Sequence, residues 1–324
     1  MHSVVVNHSV VVNGVSSILI YTEPSATPAL GSFFAAMIRF ALLAFFLIFL
    51  TTAAALAQPI SGRVTDARTG QPLPFVNIGV VGKALGTVSN EQGQYGLTFQ
   101  ENLASDTVRV SYLGYQPRLL TLRQLQAQPA VALTAGAVAL AEVRVQAKSR
   151  AWRDRTLGFT GNSDNTTLHL EAKDLGAETG TVIYLKHKPT KILKANFNVA
   201  YNRVGNVTLR VNLYRLDAKG RPTNEKLLQR EVILRTAATH GPISVDLTPD
   251  NLLLSEDFFL SLEWVGGANA EALHGGVAFS GGIGYADNDI YYRATSQASW
   301  ERLSAGAVLA GMQPKLSFYI SAQD

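Results

Sequence analysis

The 324-residue chain contains no cysteine. Disulfides, thiolate nucleophiles, cysteine-ligated zinc and a lipid-modified N-terminal cysteine are thereby excluded. Charge is scarce too. Asp, Glu, Lys and Arg make up 16% of the residues, and the formal net charge of +4 comes from scattered basic residues. Nucleic-acid binding calls for a basic stripe and a recognisable reading element, and the sequence has neither. The signatures H-E-x-x-H, G-x-S-x-G and G-x-x-x-x-G-K-[ST] are all missing. No cofactor and no metal site is expected.

What the chain has instead is apolar residues, 47% of the total, arranged mostly at a period of two. Ile60, Gly62 and Val64 alternate with Ser61, Arg63 and Thr65, as in a half-buried strand. Residues 66–70 make a polar turn. Pro72 and Pro74 bracket Leu73 and remove backbone donors, which suits a strand edge or entry. Val76, Ile78 and Val80 resume the alternation, and residues 90–93 form another turn before Tyr95 and Leu97.

Upstream lies an export signal. Met37 and Arg39 precede an apolar run at residues 40–50, eleven residues long and too short to span a bilayer. Ala55-Leu56-Ala57 offers small-x-small cleavage before Gln58. Residues 37–57 are therefore read as a signal peptide, with an uncleaved anchor as the rival. Residues 1–36 hold a direct repeat, H-S-V-V-V-N at positions 2–7 and again at 8–13. An exported protein has no evident use for such a leader, so the expectation is a gene-model extension with translation starting at Met37.

Residues 59–147 resemble the carboxypeptidase regulatory-like domain. The matching positions are Gly62, Val64, Asp66, Thr69, Pro72, Leu73, Pro74, Val76, Ile78, Gly86, Thr87, Gly93 and Tyr95, with the later runs at 110–115 and 140–145. The resemblance implies a transthyretin-like seven-stranded β-sandwich of the exported bacterial type, placed in the Gram-negative envelope. Such domains accompany zinc carboxypeptidases, whose first ligands come as His-x-x-Glu. Here the residues three beyond the six histidines are Val5, Val11, Ala172, Thr190, Ile243 and Val277, so that ligand pair is missing.

Residues 146–165 are polar and irregular and read as a linker. Beyond them, Val207, Leu209, Val211 and Leu213 alternate with polar neighbours, as do Phe258, Leu260, Leu262 and Trp264. Many short strands with glycine-pair turns indicate a second, jelly-roll-like sandwich over residues 166–324. The fold class is thus all-β, with domains at 58–145 and 166–324. The C-terminal part also resembles the domain that follows the regulatory-like module in a family of exported bacterial proteins without an established activity.

Candidate ligand contacts are the aromatic residues Trp264, Tyr291, Tyr292 and Trp300, which would serve as apolar platforms for sugar rings. On a strand, Tyr291 and Tyr292 must face opposite ways. Glu263 lies beside Trp264, and Asp287 and Asp289 lie in an aromatic neighbourhood; glycoside hydrolysis needs two such carboxylates in one cleft. The Asp287-Asn288-Asp289 run offers oxygen ligands for calcium but lacks the rest of a loop. The expectation is an exported, non-enzymatic protein of the periplasm or outer-membrane surface. Its partner would be a glycan or a cell-envelope protein, with peripheral outer-membrane association. An accessory component of a TonB-dependent uptake system and, more remotely, a glycoside-active enzyme stay open as alternatives.

Overall fold

The computed structural model describes residues 59–136, 151–171, 173–267, 275–284, 290–303 and 312–324. The proposed leader and signal at residues 1–57 lie outside the described residues, as do Asp287 and Asp289. The first sandwich runs β1 (Pro59–Asp66), β2 (Asn77–Val80), β3 (Gly86–Val88), β4 (Gln94–Thr98), β5 (Thr107–Ser111), β6 (Arg118–Thr121), helix α1 (Leu122–Ala127) and β7 (Ala130–Leu133). A three-stranded sheet in the order β4-β1-β7 faces a four-stranded sheet in the order β3-β2-β5-β6, making seven strands in all. β1 and β7 run parallel, and the other pairs are antiparallel.

Alternation explains the core. Ile60 and Val64 from β1, Ile78 and Val80 from β2, and Val108 and Val110 from β5 all point inward and are buried. Gly62 belongs to the same inward row, where Tyr95 stands opposite. A Cβ on Gly62 would lie 2.6 Å from the Tyr95 ring and 2.1 Å from the Pro129 carbonyl oxygen. Glycine there makes room for the tyrosine, whose hydroxyl donates to that carbonyl at 2.8 Å. Helix α1 starts with a capping box: Thr121 Oγ1 accepts from the Gln124 N–H, and Gln124 Oε1 accepts from the Thr121 N–H. It buries Leu122 and Leu125, three residues apart on one face.

The rest of the described chain forms β8 (Asp154–Gly158), β9 (Ser163–Glu171), β10 (Glu178–Ile183), β11 (Thr190–Asn202), β12 (Val207–Leu216), β13 (Pro222–Lys226), β14 (Val232–Thr236), β15 (Gly241–Asp246), β16 (Leu253–Leu254), β17 (Phe258–Gly266), β18 (Gly276–Gly284), β19 (Ile290–Arg293), β20 (Glu301–Arg302), β21 (Gln313–Leu316) and β22 (Phe318–Gln323). One sheet has seven strands along β13-β12-β17-β10-β19-β20, with β14 also on β12. The other has eight, along β21-β18-β11-β22-β8 with β9, β15 and β16 attached. Leu209, Val211, Leu213, Leu260, Leu262 and Trp264 of the first meet Phe197, Phe279, Phe318 and Ile320 of the second in one core. Phe318 packs edge-on between Phe197 and Phe279, with ring centroids 4.7 and 5.1 Å away.

The linker expected at residues 146–165 needs correction. Within it, β8 pairs with β22, and β9, which begins at Ser163, pairs with β18. β8 closes one end of its sheet and β9 is half exposed. Strands in such places carry polar side chains, and their composition imitates a connector.

The two sandwiches meet face to face. The outer side of the four-stranded sheet lies on the outer side of the seven-stranded one, so four sheets stack in layers. Gly86 marks the contact: a Cβ there would sit 3.0 Å from Thr295 Cβ and 2.9 Å from the Ile78 carbonyl oxygen. The Gly82 N–H donates to the Gln297 carbonyl at 2.9 Å. Arg235 reaches across to Glu91 at 2.9 Å.

Candidate functional site

Strand parity places charge at this contact. On β12, Leu209, Val211 and Leu213 face the core, so Thr208, Arg210, Asn212 and Tyr214 face the other way. In an isolated two-sheet sandwich they would face water. Here the first sandwich and the residues around β13 cover them, and Arg210 is 1% exposed. Register then aligns a row of four charges across four neighbouring strands: Arg210 opposite Glu263, Glu263 opposite Glu178, and Glu178 opposite Arg293. All four are buried.

Two carboxylates directly opposite one another repel, and each is neutralised by the arginine on its outer side. Glu178 Oε2 accepts from Arg293 Nη2 at 2.5 Å and Nε at 2.9 Å, and more distantly from the Tyr214 hydroxyl at 3.3 Å. Its Oε1 accepts from Ser261 Oγ at 2.6 Å and Asn212 Nδ2 at 2.8 Å. Glu263 Oε2 accepts from Arg210 Nη1 at 2.9 Å and from the same Asn212 amide at 3.2 Å. Asn212 thus bridges the two carboxylates, while Glu263 Oε1 is buried with no hydrogen-bond donor among the described residues.

Burial alone would push the Glu178 carboxyl up, but the Arg293 charge and the Ser261 and Arg293 hydrogen bonds outweigh it and hold Glu178 below the usual carboxylate range. Arg210 is held well above its ordinary value: desolvation works against its charge, and Glu263 and Glu231 overcome it. Burial, followed by the Glu178 charge, pushes the Tyr214 hydroxyl well up.

Arg210 also ties the row to the first sandwich. Its Nη1 donates to Asn77 Oδ1 at 3.2 Å and its Nη2 to the Phe75 carbonyl. Glu231 Oε2 lies 2.5 Å from Arg210 Nε, at an angle too bent for a hydrogen bond. Phe75 has φ 56°, a left-handed conformation costly for an aromatic residue, and its ring packs with Val88, Val265 and Ile233 across the contact. Beside the row is a cavity of about 260 Å³, lined from one side by Arg109, Ser111 and Tyr112 and from the other by Lys226, Glu231 and Arg293. Lys226 is partly buried, and desolvation pushes its ammonium down against the pull of Glu231.

Three of the four aromatic candidates are packed rather than presented. Trp264 is 0% exposed in the main core, which its parity with Leu260 and Leu262 requires. Tyr291 is buried edge-on to Phe259, at 5.9 Å between ring centroids. Trp300 is half-buried against Phe259, under the Arg293 guanidinium at 4.1 Å, and its Nε1 donates to the Thr223 carbonyl. Tyr292 is 40% exposed, and its hydroxyl donates to Glu301 at 2.7 Å. The sugar platform expected from these rings is therefore not assembled; Tyr292 alone of them offers an open face. Glu263 does have a carboxylate neighbour, Glu178, which the sequence reading did not single out. Its signal was the short run Glu178–Ile183, whose place beside Glu263 depends on long-range pairing. Among the described residues, no group of three His, Asp or Glu side chains is placed to hold a metal ion.

Among curated proteins, no match to the chain was found. Among solved structures, a chain in the structure of infectious bursal disease virus Gx strain aligns over 82% of this chain at 10% identity and a TM-score of 0.16. The present chain spans 59% of that one, and a TM-score this low supports no inference. Residues 60–145 match the family model of the CarboxypepD_reg-like domain, so the first of the two sandwiches is a CarboxypepD_reg-like domain.

Proposed function

We propose that the chain is an exported, non-enzymatic binding or interaction module of the cell envelope. In this reading the CarboxypepD_reg-like sandwich is a scaffold fixed rigidly to the second sandwich, and a glycan or envelope protein is the partner. The observation that carries it is the Arg210–Glu263–Glu178–Arg293 row. A glycoside hydrolase needs one carboxyl that stays protonated near neutral pH and a second free to act as base or nucleophile. The best-placed carboxylate pair here is spent otherwise: both oxygens of Glu178 are occupied, its acidity is increased, and Glu263 is closed in by Arg210. Such a pair fixes sheets and modules in place and does not transfer protons.

The test is capture by purified full-length chain from outer-membrane and periplasmic extracts, alongside a glycan array. Saturable retention of an envelope glycan or protein, with no release of reducing sugar, is the expected result. Absence of any retention, or turnover of a glycoside, would overturn the reading.

A further inference from the structure

We propose that the cavity between the two sandwiches binds a small anion, a carboxylate or phosphate group, through Arg109 and Lys226. The proposal deepens the envelope-binding reading by naming the chemistry that an acidic glycan or phosphorylated partner would present.

Charge around the cavity is unbalanced. Among the described residues, Arg109, Arg210, Lys226 and Arg293 are met by Glu178, Glu231 and Glu263, so one positive charge is left over. The carboxylates are already committed: Glu178 to Arg293 at 2.5 Å, Glu263 to Arg210 at 2.9 Å, and Glu231 to Arg210 Nε at 2.5 Å. Lys226 is left with Glu231 at 4.0 Å, the outer limit of an ion pair. Arg109 makes no ion pair or hydrogen bond among the described residues. It projects from β5 opposite Gly79, over which the Gln297 side chain lies at the edge of the cavity.

A half-buried cation without a close counterion is costly, and an anion brought beside it recovers Coulomb energy where solvent screens poorly. The depressed Lys226 ammonium fits that condition, its side chain as a whole being 21% exposed. Tyr112 and Ser111 add hydroxyls on the same wall as Arg109. A volume of about 260 Å³ is several times the roughly 30 Å³ that one water occupies in the liquid, enough for a phosphate or the acidic head of a sugar acid.

The experiment is calorimetric titration of the full chain with inorganic phosphate, with glucuronate and with glucose. At least one anion is expected to bind at a single site while glucose does not. Which anion binds separates a phosphate source from a carboxylate source. Arg109→Gln and Lys226→Gln should each weaken binding tenfold or more. A wild-type measurement covers the case in which a variant fails to fold. The binding anion should slow acetylation of Lys226 and leave that of Lys219, on an exposed turn, unchanged. Failure of both anions to bind, undiminished binding in the folded variants, or equal protection of both lysines would overturn the proposal. Envelope capture that persists when anion binding is absent would remove this site and leave the broader reading standing.

Discussion

At Glu178 both carboxylate oxygens are taken, one by Ser261 and Asn212 and the other by Arg293, in a layer closed to solvent. Removing one partner of a buried pair leaves the other charged and unsolvated, which costs about 3–5 kcal/mol. Glu178→Ala should therefore destabilise the protein by about that amount, read from urea unfolding followed by tryptophan fluorescence. A loss below about 1 kcal/mol, typical of exposed pairs, would show that water enters the row. At this scale the sequence was partly legible. Trp264 shares the parity of Leu260 and Leu262, so its burial was readable from the alternation. The pairing of Glu178 with Arg293, 115 residues apart, was not readable, because only sheet register brings them together.

Turns and strands carry a different lesson. Asp66 ends β1 and organises the following turn: its Oδ1 accepts from the Thr69 and Arg68 N–H groups at 2.7 and 2.8 Å, and its Oδ2 from the Tyr115 hydroxyl at 2.9 Å. These bonds, the Thr69 one foremost, lower its pKa from 3.8 to about 2. A depressed folded-state pKa gives stability that is complete above the unfolded value and is lost as pH falls through the folded one. The wild type should thus lose stability between about pH 4 and pH 2 through this turn. Asp66→Asn should show a shallower decline there, measured as urea midpoint against pH. Identical slopes would show that the turn does not hold the ionised form. The turn's residues and the alternation of β12 and β17 were plain in the sequence. Helix α1, six residues long, is too short to show a helical period in the sequence, and β8 and β9 were hidden by the polar composition that edge positions favour.

Across the whole molecule, the outer faces of two sheets that each look solvent-facing by composition are buried against one another. Thr208, Arg210 and Asn212 read as an exposed polar stripe because alternation reports which residues share a face and not what covers it. The covering layer is the CarboxypepD_reg-like sandwich, held through Arg210 to Asn77 and the Phe75 carbonyl, Arg235 to Glu91, and the Phe75–Val88–Val265 cluster. Arg210 joins the charge row to the first sandwich. If the contact couples the two sandwiches, the wild type should unfold in a single calorimetric transition, with van't Hoff and calorimetric enthalpies agreeing. Arg210→Ala strips Glu263 of its counterion and frees the Phe75 carbonyl that steadies a left-handed backbone. It should divide unfolding into two transitions, or raise the calorimetric enthalpy above the van't Hoff value. Two transitions already present in the wild type would mean that the sandwiches fold independently and that the buried row is not what makes them one body.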